Sequence, residues 1–210
     1  FTGLHPLLVM TGMHHGMSPY LVASLSNPGY EGLASPATVI DNINIGVAAV
    51  AVALKSKSKQ TKTTAIPSAI TAIIGGVTEP ALFGVVLQYK TVLAATMIGG
   101  FVGGAVAGLA KCVSYAFAGS YGVFGLLTFV SKDGMFNLYM MLLTVLIGAV
   151  VTFIFTMILY KENPEDIEEE ESTEILTEDN EKNILLAPIT GEVKSLSECK
   201  DAVFAEGTLG

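Results

Sequence analysis

Between Lys90 and Lys161 three stretches carry no charged side chain: Thr91 to Ala110, Cys112 to Ser131 and Gly134 to Tyr160. An α-helix rises about 1.5 Å per residue, so about 20 residues cover the roughly 30 Å hydrocarbon core of a bilayer, and each stretch is long enough to cross it. The last, "FNLYMMLLTVLIGAVVTFIFTMILY", has Tyr139 and Tyr160 at interfacial positions and Lys161 closing it, and predicts a spanning helix. In "IGGFVGGAVAG", Gly100, Gly104 and Gly108 recur every four residues with Gly99 and Gly103 alongside. One helix face is therefore nearly bare backbone and is expected to pack closely on another helix. No glycine-rich phosphate loop occurs, so a bound nucleotide is not indicated, and no nucleic-acid partner is expected.

Composition divides the chain. Residues 1–160 hold seven lysines and four acids, a net +3, whereas residues 161–210 hold four lysines and fifteen acids, a net −11; together they give the overall −8. Arginine is absent. The acidic character thus belongs to the tail, and the apolar part has the make-up of a membrane domain. Lys161 to Lys182, "KENPEDIEEEESTEILTEDNEK", reads as a solvated, self-repelling tether. The only dense basic loop is "KSKSKQTK", with Lys55, Lys57, Lys59 and Lys62, and positive loops stay on the cytoplasmic side. If the tail lies there too, an even number of crossings separates the two. Taking Ala65–Tyr89, Thr91–Ala110, Cys112–Ser131 and Gly134–Tyr160 as full spans gives four. Making the first a re-entrant hairpin requires demoting a second, for which the Gly-, Ser- and Tyr-rich Cys112–Ser131 is the best suited.

Within "IIGGVTEPALFGVV", Gly75, Gly76, Glu79, Pro80 and Gly84 are poor material for one continuous lipid-exposed helix. Broken backbone at membrane depth is tolerated where it is buried in protein or lines a watery cavity, and a carboxylate there marks a functional site. Glu79 is accordingly expected to face a ligand. Upstream, "GLHPLLVMTGMHHGMSPY" sets His5, His14 and His15 in an apolar context, with no carboxylate at metal-ligand spacing, so no metal is expected. Adjacent histidines on a helix point in different directions, so at most one of His14 and His15 is expected to share a cavity with Glu79.

"GGVTEPALFG" resembles the G-I-T-E-P signature of the enzyme IIC membrane domain of sugar phosphotransferase-system permeases, glucose superfamily, and "GMHHG" resembles its upstream G-x-H segment. Their order and separation look most like the β-glucoside branch, whose relatives include sucrose and trehalose permeases. The resemblance implies an all-α polytopic membrane protein with a re-entrant hairpin: residues 1–160 as the carboxy-terminal half of IIC, 161–183 as an acidic disordered linker, and 184–210, "ILLAPITGEVKSLSECKDAVFAEGTLG", as a truncated, β-rich start of enzyme IIA. It implies a β-glucoside bound by Glu79 and His14, with His15, His5 and Thr78 as further candidates and either Glu79 or His14 as acceptor of the hydroxyl proton. No cofactor is implied. Partners would be the sugar, the lipid bilayer, a phosphorylated B domain, the phosphocarrier protein acting through IIA, and a second copy in a homodimer, in a bacterial plasma membrane. The family's phospho-accepting cysteine is followed by arginine, which this chain lacks, and the phosphohistidine of IIA would lie past Gly210. Cys112 and Cys199 read as isolated reduced thiols, and the chain reads as a piece of a longer polypeptide that cannot run the phosphoryl relay alone. The competing class is an ion-coupled secondary transporter using His14 and Glu79 as a proton relay, which would deliver free sugar without phosphoenolpyruvate.

Overall fold

The computed structural model describes residues 1–132 and 134–162. The expected linker and IIA segment, from 163 onward, lie outside the described residues. Helices dominate: α1 (His5–Met10), α2 (Ser18–Ser26), α3 (Ala34–Lys55), α4 (Lys59–Ile70), α5 (Glu79–Ala81), α6 (Lys90–Leu109) and α7 (Phe136–Leu159), with no strand among the described residues beyond two isolated bridges. Three of them, α3, α6 and α7, are long and apolar enough to cross a membrane.

The central one, α3, is not among the uncharged runs, because Asp41 interrupts it, and Asn42 and Asn44 add further polar groups. It forms nonetheless, since those polar groups are buried against protein. Its start is capped by Glu31, whose carboxylate accepts the backbone N–H groups of Leu33, Ala34 (2.6 Å) and Ser35 (2.7 Å). These are donors the first turn cannot satisfy internally, and a negative charge there also meets the positive end of the helix dipole.

The stretch from Ser58 to Tyr89 enters and leaves at one end of the bundle. Ser58 N–H donates to Glu162 at 3.0 Å, just past α7, and the Tyr89 ring packs edge-on against Tyr160, the C-cap of α7, with centroids 4.8 Å apart. Between these ends the chain runs through α4, a π-helical turn at Thr71–Gly75, the break at Gly76, α5 and a second π-helical turn at Leu82–Val86. This is the expected hairpin, beginning earlier than Ala65. Cys112–Ser131 is not a spanning helix. It is a loop with one 3-10 segment, Val123–Phe129, held at its two ends by Asn137 on α7, whose Oδ1 accepts Val113 N–H and whose amide donates to Val113 O and Phe129 O, both at 2.7 Å. Its glycines and small polar residues leave too little apolar side chain to bury a helix on all sides, and Asn137 replaces the backbone partners that helix formation would have supplied. With both segments returning to their own end, only α6 and α7 separate the basic loop from residue 162, and the crossing number is even.

The glycine face of α6 splits into two. Gly99 and Gly103 meet α7 at Gly148, while Gly100 and Gly104 receive Thr2 and Gly3 of the amino-terminal segment; Gly108 has no neighbour within 4 Å of its would-be Cβ. A Cβ on Gly99 would overlap Thr152 Oγ1 and fall 2.8 Å from Gly148 O. Gly99→Leu is therefore expected to lower the stability of the detergent-solubilised protein by about 1–3 kcal/mol or more, whereas Gly108→Leu leaves it within about 0.5 kcal/mol. Equal melting temperatures for the two variants would contradict close α6–α7 packing.

At the end of the bundle that holds the basic loop, Lys55 Nζ donates to Met157 O (2.6 Å) and Tyr160 O (2.9 Å), and Glu162 accepts the Ser56 hydroxyl, Lys57 N–H and Ser58 N–H. Partial burial pushes the Glu162 carboxyl upward, but the Ser56 hydroxyl, the two amides and the Lys57 charge outweigh it and hold the group below the usual glutamate range. A lowered folded-state pKa gives stability that is complete above the ordinary glutamate pKa and is lost as pH falls through the lowered one. A spin label at Lys161→Cys should stay ordered at neutral pH and become mobile only under acid conditions below the normal carboxylate range. Mobility unchanged by acid would count against the clamp.

Candidate functional site

The tip of the hairpin is fixed by a backbone crossing. Gly76, at φ +67°, lies so close to Tyr121 and Gly122 of the loop that a Cβ on it would sit 2.5 Å from Gly122 N and 2.7 Å from Tyr121 C; a Cβ on Gly122 would in turn fall 2.6 Å from Ile73 O. Glycine at both positions is what lets two backbones touch. Asn42 of α3 then ties them together, its amide donating to Gly76 O at 3.0 Å and to Tyr121 O at 3.3 Å, while the Ser120 hydroxyl donates to Gly75 O at 2.7 Å. Two irregular segments from opposite ends of the bundle thus meet beside the middle of α3.

Next to this crossing is a cavity of about 360 Å³. His5, His14, His15, Thr78 and Glu79 all border it, together with Thr38, Asn42, Phe117 and Tyr121. Every site residue singled out from sequence is thereby brought to one place. Glu79 opens α5 three residues after the break at Gly76, is solvent-exposed, and its carboxylate accepts no hydrogen bond among the described residues, so its oxygens are open to a guest. Thr78 is buried and its carbonyl accepts Leu82 N–H at 2.7 Å.

The histidine pair departs from expectation. His14 and His15 both border the cavity, their rings tilted by 38° with centroids 4.0 Å apart. The reason is local: Gly12 at φ +72° turns the chain into a 3-10 segment, Met13–Met17, and the two imidazoles fold together where an α-helix would have splayed them. His14 Nδ1 is buried without a partner. His5 is itself buried, with Nδ1 2.8 Å from Asp41 and Nε2 3.3 Å from Thr38. Asp41, Asn42 and Thr38 were not found from sequence. Their signal was available in "TVIDNINIG", four polar side chains within an apolar helix, which carries the same meaning as a carboxylate beside a proline.

Chemically, the cavity offers acceptor-only oxygens at Glu79, imidazoles that donate or accept, a hydroxyl at Thr38, and an aromatic edge where Phe117 and Tyr121 meet at 6.3 Å between ring centroids. Such a set suits a neutral, many-hydroxyl guest. The fold and cavity together describe a helical membrane domain with a polar cavity beside the point where a hairpin and a loop meet.

Residues 1–100 match the family model for "Phosphotransferase system, EIIC", and this part of the chain belongs to that family. The chain is 35% identical over 209 residues to the PTS system beta-glucoside-specific EIIBCA component of Bacillus subtilis (strain 168), which covers 99% of this chain and 33% of that protein. It is 36% identical over 156 residues to the arbutin-, cellobiose-, and salicin-specific EIIBC component of Escherichia coli (strain K12), covering 74% of this chain and 32% of the relative. With the sucrose-specific EIIBC component of Bacillus subtilis (strain 168) it shares 32% over 161 residues, 76% of this chain and 34% of the relative. The chain thus spans about a third of the length of these curated relatives. No solved structure gives a significant match.

Proposed function

We infer that this chain is the carboxy-terminal part of the sugar-binding membrane domain of a phosphoenolpyruvate-dependent permease that takes a β-glucoside and phosphorylates it during transport. The observation that carries the reading is the gathering of Glu79, His14, His15, His5 and Thr78 around one cavity at the hairpin tip. Glu79 and His14 bind sugar hydroxyls, a carboxylate accepting from two at once, and the other three complete the polar wall. In the transfer, the bond from phosphorus to the donor cysteine sulfur of a B domain breaks as a bond to the sugar oxygen forms, and the hydroxyl proton passes to Glu79 or His14. Positioning contributes most to such a step. The product is anionic and cannot return through hydrocarbon.

The end of the bundle with the lysine loop and Glu162 is cytoplasmic in this reading, so residues 161–183 tether an A domain beginning at 184 within reach of its partners, and the IIC domains pair as a homodimer. The experiment is uptake of a labelled panel (salicin, cellobiose, sucrose, trehalose) by vesicles carrying the full-length protein, with the product scored as sugar or sugar phosphate. Sugar phosphate formed only with phosphoenolpyruvate supports the reading. Free sugar that dissipates with the proton gradient assigns the protein instead to the ion-coupled class.

A further inference from the structure

Asp41 is fully buried in α3, its Oδ2 2.8 Å from His5 Nδ1 and its Oδ1 without a hydrogen-bond partner among the described residues. The other imidazole nitrogen of His5, Nε2, lies 3.3 Å from Thr38 Oγ1, and that hydroxyl donates its single proton to Ala34 O at 2.8 Å. These contacts fix a proton count. Thr38 can only accept from His5, so Nε2 carries a hydrogen, and the Nδ1–Oδ2 contact holds a second proton on one atom or the other. His5 and Asp41 together are then electrically neutral, which avoids an unpaired charge in a water-poor interior.

His5 and Thr38 border the cavity that holds Glu79, and Asp41 does not. With Nε2 committed as a donor to Thr38, the Thr38 oxygen retains one lone pair. We propose that Asp41 is a positioning residue for the cavity: acting through His5, it sets which groups on that wall donate and which accept toward a sugar hydroxyl. The inference rests on the sugar-permease reading and deepens it, naming a determinant of affinity that touches no sugar itself.

Two substitutions separate positioning from packing. Asp41→Leu keeps the branched shape and the number of side-chain heavy atoms but removes the hydrogen bond, which frees the His5 ring and its tautomer. Asp41→Asn can still hold His5 by donating to Nδ1, leaving the hydrogen on Nε2. In vesicles carrying the full-length protein, with phosphoenolpyruvate and the soluble phosphotransferase proteins, the panel sugar with the lowest KM for wild type is the probe. Asp41→Leu is expected to raise KM roughly tenfold, about one hydrogen bond, with kcat within about threefold. Asp41→Asn should return KM to near the wild-type value. An unchanged KM in Asp41→Leu overturns the proposal, as does an Asp41→Asn as impaired as Asp41→Leu, since the charge alone would then matter. Should Asp41→Leu fail to reach the membrane, Thr38→Val carries the test: it removes the far end of the relay, a several-fold rise in KM is expected, and a wild-type KM overturns the proposal. Wild type distinguishes the two levels, because a wild-type protein that phosphorylates no panel sugar refutes the permease reading itself.

Discussion

Glu79→Gln is expected to lower sugar affinity by about 10²-fold or more while leaving the protein folded and in the membrane. The carboxylate faces the cavity with no partner among the described residues, so neutralising it breaks nothing within the chain and its effect on melting temperature should be small. Its oxygens are free to accept from two sugar hydroxyls, and charge-assisted bonds of this kind contribute about 1.5–3 kcal/mol each. A glutamine offers one neutral acceptor and places a donor where the second acceptor was. Equilibrium binding of the best panel sugar to wild-type and variant protein measures the loss. Undiminished affinity would remove the central support for the proposed function and favour a scaffold role for the hairpin.

The largest structural effect should come from Gly76→Ala. A methyl group there would sit 2.5 Å from Gly122 N and 2.7 Å from Tyr121 C, on a backbone at φ +67°. The left-handed conformation costs an alanine about 1–2 kcal/mol and backbone overlap adds about 1–3 kcal/mol, so a loss of roughly 2–5 kcal/mol is expected. The neighbouring Gly75 provides the control, because its Cβ would meet nothing nearer than Val77 Cγ2 at 4.0 Å. Thermal unfolding of the purified variants should place Gly76→Ala well below wild type and Gly75→Ala beside it. Coincident melts for all three would mean that the two segments are not locked together at this point. Because the same crossing holds Thr78 and Glu79 against the cavity, Gly76→Ala should also abolish uptake in whatever protein does insert.

How far the sequence could be read depended on whether a residue's meaning was local. Glu79 stood out because a carboxylate beside proline and glycines conflicts with a lipid-exposed helix wherever it is folded. Asp41 and Asn42 did not, although one holds His5 and the other ties the backbone crossing, since a helix with polar residues on one side looks ordinary until its neighbours are known. The Cys112–Ser131 stretch shows the limit of counting charges. Freedom from charge permits a span, but Gly119, Gly122 and Gly125 favour a loop, and Asn137 at the start of α7 supplies the hydrogen bonds that make one affordable. His14 and His15 were assigned different directions on the assumption of an α-helix, and a left-handed glycine two residues before His14 changed the geometry.

The sequence by itself determined that the first 160 residues prefer lipid to water, that the tail is acidic, that the hairpin breaks near Glu79, and that a close-packed glycine face lies on α6. Each follows from side-chain chemistry summed over neighbours in the chain. Only the tertiary structure decided that α3 is a third long apolar helix, that the hairpin and the loop return to their own ends, and that three histidines, a threonine and a glutamate enclose one space. Those outcomes depend on which distant backbone groups satisfy one another, and separation along the chain carries no record of that.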